Sequence, residues 1–265
     1  MKGSVDMKRF DLIIVGAGPS GLSAAIEAAK RGLELGSVDM AVVDMAQLIR
    51  MEKNDENLPY GVVISGVLKR GDSRYVMIRK RHAKDLIENA VVATDSYSKT
   101  ERIKHMYDGI SCVVETDIRK CIEKLDASEC DAVFVLLEDI KAARLHNSFL
   151  YRYTIMDYGE CVPVHGEGVY AMLTKGKKEA VRTARELSHK STAECFEIED
   201  DIISRVMQNV YVKTCDVYAR ISSDRLEIYA DVTGNRGRIR VNERGTFVNK
   251  NLIITKIVDR ISKSM

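Results

Sequence analysis

DIRKCIEKLDASECDAVFVLLEDIKAARL, residues 117–145, decides the fold. DIRKCIEKLDAS has the spacing and composition of a helix. CDAVFVL is an uninterrupted apolar run of strand length, and EDIKAARLH returns to helix. A buried strand between two helices points to an α/β layer. The segments before it agree: AVVATD at 90–95 reads as a strand, SKTERIKHM as the start of a helix and SCVVET as another strand. Such alternation predicts a parallel or mixed sheet with helices on both faces.

Working outward, YVMIR at 75–79 and GVVISGVL at 61–68 read as strands joined by the turn KRGDSR. Met40–Val43 is a further strand, and Arg50–Pro59 reads as a polar loop. The basic run RKRHAKD at 79–85 has no interleaved aromatic residues, so it reads as a solvated linker and not as a nucleic-acid patch. Toward the other end, VPVHGEGVYAML at 162–173 is a glycine-punctuated strand, followed by an amphipathic helix in KKEAVRTARELSHK. The last seventy or so residues change character. STAECFEIEDDIISRVMQN is helical, VYVKTCDVYARIS, RLEIYADVT and RIRVNERG are three strands, and NLIITKIVDRISKSM closes as a helix. That order is a compact α+β module.

Composition narrows the function classes. The 265 residues are 45% hydrophobic and 30% charged, with 41 basic and 39 acidic side chains. A net charge of +2 supplies no bulk attraction to nucleic acid or to a membrane surface. No apolar run approaches the ~20 residues needed to span a bilayer. Six scattered cysteines without a CxxC pair read as reduced thiols in a cytoplasmic protein, with no metal site. The five histidines share no metal-type spacing; His165, in the glycine-flanked loop PVHGEG, is the one candidate among them.

Near the N-terminus, DLIIVGAGPSGLSAAIEAAKRG at 11–32 places Gly16, Gly18 and Gly21 at GxGxxG spacing after an apolar strand. Such glycines permit a tight turn, close approach of a pyrophosphate, and close helix–strand packing; with Ser20 they would cradle phosphates at the start of a helix over Leu22–Leu35. The segment resembles FAD- and NAD(P)-binding oxidoreductases. The acidic residue expected about 20 positions on is Asp44, 28 residues after Gly16. The pentapeptide GSVDM occurs at 3–7 and again at 36–40, and removing one copy would bring the spacing near the expected value.

From about residue 35 onward the chain resembles the porphobilinogen deaminase (hydroxymethylbilane synthase) family of tetrapyrrole biosynthesis. The resemblance is carried in order by GSVDMAVVDMAQL, LPYGVVISGVLKRGDSRYVMI, NAVVATDSYSKTERI, the 117–145 segment, VPVHGEGVYAML and the terminal α+β module. It implies a transferase that condenses four porphobilinogens, with release of ammonia, on a dipyrromethane primer held by a cysteine thioether. It further implies an aspartate that stabilises charge on the pyrrole nitrogens and arginines that neutralise the acetate and propionate groups. This sequence departs from that pattern. The catalytic aspartate falls at Gln47, with Asp44 three residues earlier. The preceding lysine falls at Ala46, and the arginine pair at Ser98 and Lys99. Two further arginine positions fall near Glu115 and Cys121, with Arg119 and Lys120 close by. The primer cysteine falls at Val210 or Tyr211; the nearest thiol, Cys215, is displaced along a strand by about 13 Å.

The expectations are therefore these. The fold is α/β with three domains: two lobes like those of periplasmic binding proteins, over 1–86 plus 163–190 and over 87–162, and an α+β domain over 191–265. The first reading of function is a monomeric deaminase-like protein of reduced or lost activity. It would bind a pyrrole-type or other small anionic ligand in the cleft through Ser96, Ser98, Lys99, Arg119, Lys120 and His165, with Cys215 as the thiol nearest the cofactor position. The alternatives are a small FAD- or NAD(P)-dependent oxidoreductase using the GAGPSG loop, and a non-catalytic binding protein.

Overall fold

A computed structural model describes residues 12–14, 39–53, 58–83 and 89–265. Gly16, Gly18, Ser20, Gly21 and the helix expected over Leu22–Leu35 lie outside the described residues.

The first lobe is a four-stranded sheet in the order β1 (Leu12–Ile14), β2 (Met40–Asp44), β9 (Tyr170–Lys175), β3 (Val62–Val67). β1 and β2 run parallel, while β9 is antiparallel to both β2 and β3. Alternate residues of β2 feed opposite faces. Ala41 and Val43 pack with Met45, Leu48 and Val62, and Met40 and Val42 pack with Met172 and Ala184. Covered on both sides, the strand is apolar nearly throughout. Helix α1 (Met45–Lys53) follows directly and turns Met45 and Leu48 into the core. It occupies the first part of the segment read from sequence as a polar loop: an i, i+3 apolar pair and a cap at Asp44 outweigh its charged residues. At the bulge in β3, a Cβ on Gly66 would lie 2.6 Å from the Ala184 carbonyl oxygen of α5 (Lys178–Leu187), so only glycine admits that helix so close.

The second lobe is a five-stranded sheet in the order β6 (Ser111–Val114), β5 (Val91–Thr94), β7 (Ala132–Leu136), β4 (Tyr75–Lys80), β8 (Tyr151–Ile155). β5 is parallel to both of its neighbours, and β4 is antiparallel to both of its own. Val133 and Val135 face α3 (Ile118–Asp126), which buries Cys121, Ile122 and Leu125; Ala132, Phe134 and Leu136 face Ile103 of α2 (Tyr97–Lys104). Asp117 caps α3 by accepting from Arg119 N at 2.9 Å. Because β4 pairs with β7 and β8, residues 75–80 sit in the second sheet, whereas the sequence reading assigned them to the first lobe.

The chain thus crosses between lobes twice, at 68–74 and 156–169. The expected strand over 162–173 begins only at Tyr170. Pro163 lacks an N–H, and Gly166 and Gly168 adopt φ of +84° and +73°, so that stretch cannot form a ladder.

The remaining unit packs α6 (Lys190–Val206) and α7 (Lys250–Ser264) on an antiparallel sheet of β10 (Val212–Ser222), β11 (Arg225–Gly234) and β12 (Gly237–Thr246). Ile198, Ile202, Val217, Ile228, Ile254 and Ile257 form the centre of its core.

Candidate functional site

Carboxyl ends of strands from both lobes meet around one cleft. β2 ends in Asp44, whose Oδ1 accepts from Gln47 N at 3.0 Å; one carboxylate therefore caps α1 and faces the cleft. Asp95 and Ser96 follow β5 directly, and the first turn of α2 brings Lys99 alongside. β7 runs into α4 (Leu137–Ala142), which supplies Glu138 and Asp139. The second crossing contributes Glu167 and Gly168. A Cβ on Gly168 would fall 2.5 Å from Ser73 Oγ, so the two crossings touch only because that position has no side chain.

The cleft is small, about 80 Å³, and acidic. Asp44, Asp95, Glu138, Asp139 and Glu167 stand against Arg50 and Lys99, five carboxylates to two cations. Burial pushes the Asp44 carboxyl up to about 6, and burial does the same to Asp139 against the pull of Lys99. Burial opposes the charge on Lys99, but Asp95 at 2.6 Å, with Glu167 and Asp139 beyond it, more than offsets this and the net shift is upward. Lys99 is therefore a fixed cation and not a nucleophilic amine. Glu167 is held from behind by the buried Tyr75 hydroxyl and by Val164 N at 3.3 Å. Gln47 Oε1 is buried without a hydrogen-bond partner among the described residues.

Of the residues singled out in the sequence, Asp44, Gln47, Ser96 and Lys99 line the cleft. The Ser98 hydroxyl meets that of Ser96 at 3.1 Å but is not part of the lining. Arg119 and Lys120 are exposed on α3, where Arg119 Nη2 donates to Ala143 O at 3.1 Å, so neither reaches the cleft. His165 is buried behind it, stacked on Phe196 and tied through Nε2 to Asp200 at 2.9 Å. It joins the second crossing to α6. Cys215 belongs to the C-terminal core. Sequence reading singled out none of Glu138, Asp139 and Glu167 as site residues. The position of Glu138 and Asp139 just after a buried strand was the available signal; for Glu167, no local signal marks its tie to Tyr75 on another strand.

A family model described as "Porphobilinogen deaminase, dipyromethane cofactor binding domain" matches residues 23–183. The chain belongs to the porphobilinogen deaminase family. It is 23% identical over 176 residues to a probable porphobilinogen deaminase of Picrophilus torridus; the match takes in 64% of this chain and 61% of that protein, so the chain spans about three-fifths of its relative's length. Among solved structures, the periplasmic VFT2 domain of BvgS from Bordetella pertussis is similar at 16% identity and a TM-score of 0.41, covering 61% of this chain and 66% of that one. The substrate binding protein of an amino acid ABC transporter follows at 15% and 0.40, covering 70% and 95%.

The residues present do not fit a thioether-linked dipyrromethane of the family type. No cysteine lines the cleft. Val210 and Tyr211, where the resemblance would put the primer cysteine, are exposed at the turn before β10, and the Cys215 side chain packs in the C-terminal core. No group of three or more His, Cys, Asp or Glu among the described residues is placed to hold a metal. No helix among them is long and apolar enough to cross a membrane.

Proposed function

We propose that this member of the porphobilinogen deaminase family binds a single pyrrole-type ring in the interlobe cleft and does not build a chain of rings on a covalent primer. The observation that carries this reading is Gln47 Oε1. It is a buried acceptor without a donor at the position of the family's catalytic aspartate, beside Asp44. A pyrrole N–H or an aminomethyl ammonium supplies the missing donor, and the excess of carboxylates favours that polarity. Lys99 gives one ligand carboxylate a fixed partner, with Arg50 as the other cation of the lining. The anionic ligand expected from sequence is thereby narrowed to one whose N–H groups face the Asp44 side. A volume of about 80 Å³ suits one small ring and excludes a linear tetrapyrrole in this conformation. With no thiol in the lining, elongation has no anchor.

Calorimetric titration with porphobilinogen tests the reading. Saturable binding is expected, weakened about 10- to 100-fold by Gln47→Leu or Asp44→Asn, with neither ammonia release nor a covalent mass increase. Absence of binding, binding indifferent to both substitutions, or steady ammonia release with a pyrrole adduct would refute it.

A further inference from the structure

A second cavity of about 620 Å³ lies where both lobe crossings meet the C-terminal sheet, and it is far larger than the cleft. Its floor is Gly159, which presents no side chain. One wall is Tyr158, stacked on Tyr218 at 4.1 Å between ring centroids; another is Tyr229. Tyr158 and Tyr229 touch at a tilt, 5.9 Å between centroids and 40° between planes, so with Gly159 they form one aromatic wall of an open slot against which another flat ring can lie. Two guanidinium groups reach the rim. Arg74, on the first crossing, spends Nε and Nη2 on Asp72, and Arg220, on β10, spends Nε and Nη2 on Glu227. In each, Nη1 has no partner among the described residues, so two N–H donors per arginine remain for an oxyanion. Arg220 also lies 5.8 Å from the Tyr158 ring centroid, which places its charge over the slot. Asp157 completes the lining and faces any ligand from the second crossing.

From this geometry we infer a second ligand site, for a planar aromatic ring bearing one acidic group, carboxylate or phosphate. The ring lies over Gly159 against the phenols, and the acid takes the open Nη1 donors of Arg74 and Arg220. The site is continuous with the cleft wall: Asp72 N donates to Glu138 Oε2 at 3.4 Å, and Lys141 meets Asp72 at 3.4 Å. An occupant therefore bridges the two crossings and the C-terminal unit. The inference does not depend on what the cleft binds.

Titration of the full chain with benzoate, phenyl phosphate and cyclohexanecarboxylate tests it, followed by tyrosine fluorescence, since the chain contains no tryptophan. Both ring acids are expected to saturate, with the non-planar acid at least about fivefold weaker. A preference for phenyl phosphate identifies a phosphate-bearing ligand, and the reverse a carboxylate. Arg220→Gln should weaken binding about tenfold. Gly159→Leu should abolish it by filling the slot; a Cβ there meets Tyr229 at 3.9 Å, an ordinary contact, so the fold tolerates the change. Asp139→Asn, in the cleft, should leave binding unchanged. No saturation up to about 10 mM, full binding in Gly159→Leu, or loss in Asp139→Asn would each overturn the site.

Discussion

Asp139 and Asp44 show how burial sets the chemistry of single residues here. Both carboxyls rise from the usual 3.8 to about 6, chiefly because the cleft strips them of water. For an acid whose folded value is raised, the favourable contribution is complete below the unfolded value and is lost as pH climbs through the folded one. These two side chains thus contribute in full below about pH 4, lose that contribution progressively between about pH 4 and pH 6, and weigh against folding by a constant amount above that range. Asp139→Asn removes the penalty. Its melting temperature should exceed that of the wild type near pH 8 and match it near pH 4, by about 2–4 °C for each kcal/mol recovered. A gain equal at both pH values, or a loss near pH 8, would show that the carboxylate is stabilised by neighbours and not strained by burial. Asp44 was legible in the sequence as the acid ending a short strand, and Lys99 as the survivor of a cation pair. Asp139 was not, since nothing in LLEDIK reports that four other carboxylates converge on it.

Between elements, the firmest polar tie joins the first crossing to α6. Arg70 donates to both Glu199 oxygens, at 2.6 and 2.9 Å, while Ala219 N donates to the same carboxylate at 2.7 Å. The Arg70 guanidinium also lies over Tyr218, 4.9 Å from its ring centroid. Glu199 is wholly buried, so its charge is tolerated only because these donors surround it. Arg70→Met should destabilise the protein by about 3–5 kcal/mol, read by urea denaturation, and adding Glu199→Leu should restore a large part of that loss. If the double variant is no better than the single, the stability lies in the packing of Arg70 and not in the pair. The helices and strands themselves were largely legible, because their apolar periods report which face is buried. The failures have local causes. β8 is a sheet-edge strand with mostly exposed side chains, so it carries no clear burial pattern. The 162–169 stretch carries strand-like residues, but its proline and two positive-φ glycines make it a crossing.

On the scale of the whole molecule, Arg102 connects all three units. It lies on α2 of the second lobe and donates through Nη1 to Val162 O of the second crossing. Its Nη2 meets Asp216 of β10 at 2.5 Å, and Asp216 also accepts from His165 N at 3.3 Å. Arg102→Gln should uncouple the C-terminal unit from the lobes: thermal unfolding monitored by calorimetry should broaden or split into two transitions where the wild type shows one. A single, equally sharp transition in the variant would show that apolar contacts carry the coupling instead. The sequence by itself determined the α/β class, the near-complete roster of elements and the family, because periodicity and collinear motifs are properties of neighbouring residues. Only the tertiary structure decided that strand 75–80 belongs to the second sheet, that Arg119, Lys120 and Cys215 stay out of the cleft, and that its lining is predominantly acidic. Those outcomes rest on which distant side chains come to share one desolvated volume, and the spacing along the chain does not encode that.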